Sequence, residues 1–142
     1  MPNMSDAIDG NLKASSAVSG AGYIMTNDST NNRLYLHPGG DVVPLGISAG
    51  ASEKDVDGVL LTTVDASVSI FPLSGILYVR AAAEQTWTTG LGVYCGAGGL
   101  ALDGADASGQ QLGIYLGTGI NSVNKANGEV RIPVLCSGVG HI

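Results

Sequence analysis

From Arg33 onward the apolar residues come in short runs, several of them alternating with polar positions, separated by clusters of Gly, Asp, Asn or Ser. The runs are RLYLH (33–37), DVVPLGI (41–47), GVLLTTV (58–64), SVSIFPL (67–73), GILYVRA (75–81), LGVYC (91–95), GLAL (99–102), QLGIYLG (111–117) and EVRIPVLC (129–136). Many short apolar runs with turn chemistry between them predict an all-β fold, a compact β-barrel or β-sandwich of short strands. The one stretch of good helix formers, RAAAEQTW (80–87), is shorter than an average helix of about 11–12 residues and allows one turn at most. Pro44, Pro72 and Pro133 fall inside apolar runs. A missing N–H is tolerated at an edge, a strand start or a bulge, so these strands are expected to bend or to lie at an edge.

Residues 1–32 read differently. They are rich in Ser, Asn, Gly and Asp, with apolar pieces no longer than YIM, too little to bury a core of their own. The expected organisation is therefore an extended, low-complexity N-terminal arm (1–32) followed by a single β-barrel-like domain (33–142). Within that domain LGI (45–47) followed by SIFPLSG (69–75) is echoed by LGI (112–114) followed by RIPVLCSG (131–138). Two copies of one β-unit would produce this echo, and so would chance in so apolar a chain.

Composition narrows the function. A chain of 142 residues is one ordinary domain and buries about 68% of its unfolded surface. Only 13% of its residues are charged, about half the usual share of about 25%. The net charge is −6, and the six cations Lys13, Arg33, Lys54, Arg80, Lys125 and Arg131 are spread singly along the chain. Displacing counterions from nucleic acid takes several cations on one face, so no direct nucleic-acid binding is expected. No basic membrane-surface patch is present, and no apolar run approaches the roughly 18 residues of a membrane span. With neither a cationic nor an apolar leader in MPNMSDAIDG, a soluble protein made in the cytoplasm is expected. Cys95 and Cys136 each close an apolar run. They read as two small buried side chains, with a disulfide between them as the alternative.

Candidate chemistry is sparse. TTGLGVYCGAGGLALDG (88–104) places Gly96, Gly98 and Ala101 at dinucleotide-loop spacing after an apolar run. Such a loop needs a following helix to face the phosphate and an acid about 20 residues on to hold the ribose. Gly104 and Gly109 interrupt any helix there, and Asp103 and Asp106 come too early. Gly96, Gly98 and Gly99 are better explained as positive-φ residues of a β-hairpin. His37 and His141 lack companion ligands at metal spacing and read as solvated or capped side chains. Asp55 with Asp57, and Asp103 with Asp106, lack the Ca²⁺-loop pattern and read as turn residues. Glu53 with Asp55 sits in a polar stretch that gives no reason for a shifted pKa. No serine has a nucleophile-elbow context. No catalytic, cofactor-binding or metal-binding residue is assigned, and the protein is expected not to be an enzyme.

The order of pieces from residue 41 to 136 resembles the small all-β capsid decoration, or cement, proteins of tailed bacteriophages. The pieces are PLGIS, SGILYVRA, TTGLGVYCGAGGLAL, QQLGIYLG and NGEVRIPVLC. In that family a similar series forms a glycine-punctuated β-barrel core. A phrase like Gly92-Val93-Tyr94 leads into a hairpin, followed by a Leu-Gly-Ile phrase and a closing apolar strand. This chain departs from the pattern in its long N-terminal segment and in the loop from Thr118 to Asn127. The resemblance implies a structural virion protein on the outer capsid surface that binds the major capsid protein, forms a homotrimer and uses no cofactor. The arm is then the part expected to touch the capsid. Two alternatives are a tail, fibre or spike β-module, and a small carbohydrate-binding domain in which Trp87, Tyr94 and Tyr115 make a stacking platform.

Overall fold

The computed structural model describes residues 12–15, 17–28, 33–60, 66–104, 109–118 and 124–136. The fold is all-β, with no helix among the described residues. The first sheet holds β1 (Lys13–Ala14), β2 (Ile24–Asp28), β3 (Arg33–Leu36), β4 (Gly46–Ser48), β5 (Ala66–Ser67) and β6 (Ile70–Pro72), in the order β5-β1-β3-β2-β4-β6. The second holds β7 (Gly75–Arg80), β8 (Gly92–Cys95), β9 (Ala101–Asp103), β10 (Gln111–Tyr115) and β11 (Arg131–Cys136), in the order β7-β11-β10-β8-β9. The second sheet is wholly antiparallel, and the first has one parallel pair, β1 with β3.

Chain connectivity forces the first sheet to curl. β5 and β6 lie at its opposite edges, yet only residues 68–69 separate them. Six flat strands would span about 24 Å, whereas three residue steps reach at most about 11 Å. The sheet therefore rolls into a half-barrel. Rolling gives it two buried faces. Ala14, Val18, Met25, Leu34, Val68 and Ile70 fill one cluster. Ile24 and Ile47 instead pack with Leu77, Val79, Val93, Leu112, Ile132 and Val134 in the main core between the sheets.

β2 shows the consequence most clearly. Ile24 and Met25 point to opposite faces, as successive strand residues must, and both are fully buried, with Thr26 beside them. This corrects the expected arm. Residues 12–28 belong to the first sheet, and a boundary at 32 would cut the β2–β3 ladder, in which Met25 pairs with Leu36 and Asp28 with Arg33. Composition misled because it tests whether a segment can bury its own surface. The partners of β2 are β3 and β4, which lie further along the chain. Residues 1–11 are outside the described residues.

Other expectations meet the structure as follows. Pro44 precedes β4, and Pro72 ends the edge strand β6. Pro133 lies in β11, a strand paired on both sides, against the expectation of an edge. It is tolerated because it sits opposite Leu116, where β10 has already ended, and its carbonyl still accepts the Leu116 N–H at 3.0 Å. Residues 80–87 form the end of β7 and a turn. The run GVLLTTV extends into residues 61–65, and the loop from Thr118 to Asn127 into residues 119–123, both outside the described residues.

The echoed pieces fall in two antiparallel strand pairs. Leu-Gly-Ile at 45–47 feeds β4, which pairs antiparallel with β6, with Ile47 opposite Phe71. Leu-Gly-Ile at 112–114 lies in β10, which pairs antiparallel with β11, with Ile114 opposite Leu135. In both units the glycine sits over the partner's carbonyl. A Cβ on Gly46 would lie 2.7 Å from the Phe71 oxygen, and one on Gly113 would collide with the Leu135 oxygen.

Met25→Ala tests whether the N-terminal segment is core. It should lower stability in urea denaturation by about 2–5 kcal/mol, as expected for a fully buried methionine. A loss below about 0.5 kcal/mol, ordinary for a surface change, would return this segment to the status of an arm.

Candidate functional site

The glycine-rich stretch forms the β8–β9 hairpin, in which Tyr94 pairs with Leu102 and Cys95 with Ala101. Gly98 and Gly99 have φ of 71° and 73°, the left-handed pair that a two-residue turn favours. Gly96 does not share this conformation, against expectation. It is small because a Cβ there would lie 2.7 Å from Leu102 Cγ. No helix follows, since residues 101–103 are β9.

The hairpin tip docks on the first sheet. The Ile24 N–H donates to the Gly99 carbonyl at 2.8 Å, the Gly99 N–H to the His37 carbonyl at 3.0 Å, and the His37 N–H to the Ile24 carbonyl at 2.9 Å. Ala97 and Pro38 form a further bridge. A Cβ on Gly99 would lie 2.7 Å from the Ile24 oxygen, so only glycine lets the backbones approach this closely. The stretch thus turns a corner and joins the two sheets.

His37 is fully buried at this joint, where a solvated or capped side chain was expected. Its Nδ1 accepts the Gly39 N–H at 2.9 Å, and its Nε2 lies 2.6 Å from the Val42 carbonyl. Since a carbonyl only accepts, Nε2 carries the proton and Nδ1 is the acceptor, which is the neutral imidazole. Burial lowers its pKa, and the bond to Val42 opposes that only in part. Both ring nitrogens are used by the backbone, so the residue fastens the turn that follows β3. His141 is outside the described residues.

A second fastener escaped the sequence reading. The Arg80 side chain donates from Nε to the Ala21 carbonyl at 2.6 Å and from Nη1 to the Gly128 carbonyl at 2.8 Å. Its guanidinium carbon lies 5.1 Å from the centroid of the Tyr23 ring. One side chain thereby ties the loop before β2 to the turn before β11. A single cation after an apolar run carries no signal of such a role, because both carbonyls are supplied by distant loops.

Cys95 and Cys136 are free and buried. Desolvation pushes both thiols up to about 12, and for Cys95 the neighbouring charge of Cys136 raises it further. They are neutral at pH 7 and poor nucleophiles. Trp87 and Tyr115 are also buried, with ring centroids 5.9 Å apart. They cannot present a stacking platform, while Tyr94 is half-buried. Beside them lies a cleft of about 300 Å³ lined by Thr86, Trp87, Thr88, Leu91, Asp103 and Tyr115 among others. The indole N–H and the Tyr115 hydroxyl have no hydrogen-bond partner among the described residues.

The acids serve turns. Asp55 Oδ1 accepts the N–H groups of Asp57 at 2.9 Å and Val59 at 3.0 Å. Glu53 Oε1 accepts from Ser67 at 3.1 Å, and Asp103 Oδ2 from Thr86 at 2.9 Å. Asp106 is outside the described residues. No group of three His, Cys, Asp or Glu side chains that could hold a metal occurs among the described residues.

The most conspicuous surface is the outer face of the second sheet. Ile76, Leu135 and Ile114 stand in register across β7, β11 and β10, and each is exposed. A second row sets exposed Tyr78 beside Pro133 and Leu116. β7, β10 and β11 carry two arginines and no carboxylate, although the whole chain has twelve acids. No helix among the described residues is long and apolar enough to cross a membrane. The sequence matches no protein-family model and no curated protein at a significant level.

The depressed pKa of His37 makes folding sensitive to acid. The unfolded chain takes up the proton near pH 6.5 and the folded chain only at lower pH. The neutral-state advantage is therefore complete above pH 6.5 and falls as pH drops below it, by at most about 1.4 kcal/mol per pH unit. Urea denaturation at pH 7.5 and 5.5 should show His37→Gln losing less stability on acidification than the parent protein. An equal loss in both would remove His37 as the titrating group.

Proposed function

We propose that the protein is a non-enzymatic structural virion component, a decoration or cement protein that binds the outer surface of a tailed-phage head and stabilises the shell. The observation that carries this reading is the uncovered apolar face of the second sheet. Its five large side chains expose on the order of 400 Å², as much as the largest patch on a typical monomer, and such patches mark assembly contacts. The pieces that resemble the decoration family are distributed over both sheets. PLGIS runs into β4, SGILYVRA into β7, the Gly92-Val93-Tyr94 phrase into the β8–β9 hairpin, QQLGIYLG into β10 and NGEVRIPVLC into β11.

The partners on this reading are the major capsid protein and further copies of the chain as a homotrimer, with no cofactor, nucleic acid or membrane. Because residues 12–28 belong to the sheet, the capsid contact is assigned to the folded surface. The mechanism is mass action. A protein that binds only the assembled lattice stabilises that lattice, by about 2.7 kcal/mol per site at a free concentration one hundred times Kd.

A tail, fibre or spike module would use the same kind of surface. The carbohydrate-binding reading has the cleft beside Trp87 in its favour and the burial of Trp87 and Tyr115 against it. Co-sedimentation with undecorated shells, followed by thermal release of the packaged genome, tests the main reading. The protein should pellet with shells and raise the release temperature. Absence of binding would overturn the decoration role. A saturable change in Trp87 fluorescence on adding sugars, without shell binding, would favour the carbohydrate reading instead.

A further inference from the structure

The turn at residues 53–60 is built as a projection. The Asp55 N–H donates to the Val59 carbonyl at 2.8 Å, and the Gly58 N–H to the Asp55 carbonyl at 3.0 Å. The Asp55 carboxylate accepts two more N–H groups from the same turn, and Lys54 bridges Leu60 across its base. Its backbone is thus fixed by its own bonds, as turns built on an Asp side chain are. At the tip Val56 is fully exposed and Val59 largely so. Glu53, Asp55 and Asp57 surround them, against the single cation Lys54. An ordered aliphatic knob set among carboxylates gains nothing from water.

The complement lies between the β7 edge of the second sheet and the first sheet. Where the β7 edge meets residues 21–22, a groove of about 190 Å³ is lined by Ile47, Phe71, Ile76, Leu77, Tyr78 and Arg131, with Gly22 and its neighbours closing the side. Its lining side chains are apolar apart from Arg131, Ser48 and the Tyr78 hydroxyl. Arg131 stands directly opposite Arg80 in the β7–β11 ladder, an arrangement in which like charges repel. Arg80 is occupied by the loop carbonyls, while Arg131 is exposed and makes no ion pair among the described residues. The nearest acid along the chain, Glu129, accepts the Ala126 N–H at 2.8 Å.

We infer that copies of this chain associate head to tail, with the Val56 turn of one copy seated in the β7-edge groove of the next and its carboxylates against Arg131. Charge complementarity selects the second copy as occupant. Two molecules of net charge −6 repel over most of their surface, and this pairing brings the acidic turn to a face whose strands β7, β10 and β11 hold two arginines and no acid. Joining two different patches is a heterologous contact, which closes into a ring when the rotation allows. The apolar rows flanking the groove supply on the order of 400 Å² toward the roughly 800 Å² per partner of a stable interface. The inference deepens the proposed homotrimer but does not need a shell, so its test uses the isolated full-length chain.

The molar mass in solution is measured by light scattering for the parent chain and for Val56→Asp and Arg131→Glu, both changes at exposed positions. The parent should show a multiple of 14.3 kDa, and each variant should weaken association at least about tenfold. Asp57→Arg combined with Arg131→Asp should restore it. Mixing Val56→Asp with Arg131→Glu should yield a heterodimer, because each retains the patch that the other has lost. A parent chain that stays monomeric would overturn the inference. So would a Val56→Asp variant that assembles like the parent, the result expected if the sheet faces pair symmetrically.

Discussion

The two sheets are held in one molecule by a backbone relay of three residues, in which Ile24, His37 and Gly99 each donate an N–H and each accept one. Such a closed exchange leaves no buried donor or acceptor of the joint unpaired, which is what lets the main core close over it. Gly99 permits the approach, and His37 uses both ring nitrogens to hold the turn behind it. The first sheet curls because its edge strands are two residues apart in the chain, and the hairpin tip docks on its middle, where β2 meets β3. Arg80 repeats the device at another point with its side chain.

This arrangement bears on the surface. The inner faces of both sheets are consumed by the core, so the outer face of β7, β11 and β10 is what remains for partners. Its side chains are apolar at positions where a half-solvated antiparallel sheet ordinarily turns polar residues outward. On the proposed assembly, Ile76, Leu135 and Ile114 are the residues that association would bury. The 53–60 turn is the converse, a segment whose backbone bonds are complete while its valines lack neighbours.

The sequence made the fold class legible because alternation and turn residues are local signals. β7, β8, β10 and β11 follow their apolar runs closely, and the Leu-Gly-Ile echo marks two strand pairs with the same glycine-over-carbonyl contact. It hid what depends on distant partners. YIM in 23–25 looked too short to matter, yet Ile24 and Met25 are fully buried because β3 and β4 come to them. Pro133 sat in a central strand because the neighbouring strand stops just there. Gly96, Gly98 and Gly99 lie in a hairpin, as their spacing predicts, with only Gly98 and Gly99 at positive φ, but the docking of Gly99 on Ile24 and His37 could not be read from spacing. Of the surface, Tyr78 and Leu135 were visible only as strand residues, and Val56 gave no signal at all.

The account depends most on the hairpin tip being part of the structural joint. Amide hydrogen exchange measures this directly, since an amide that opens only with global unfolding exchanges far more slowly than one in a mobile loop. The Gly99, Ile24 and His37 amides should exchange together, at the rate of the slowest amides in β11. A Gly99 amide that exchanges at a loop-like rate while Val134 stays protected would contradict the account.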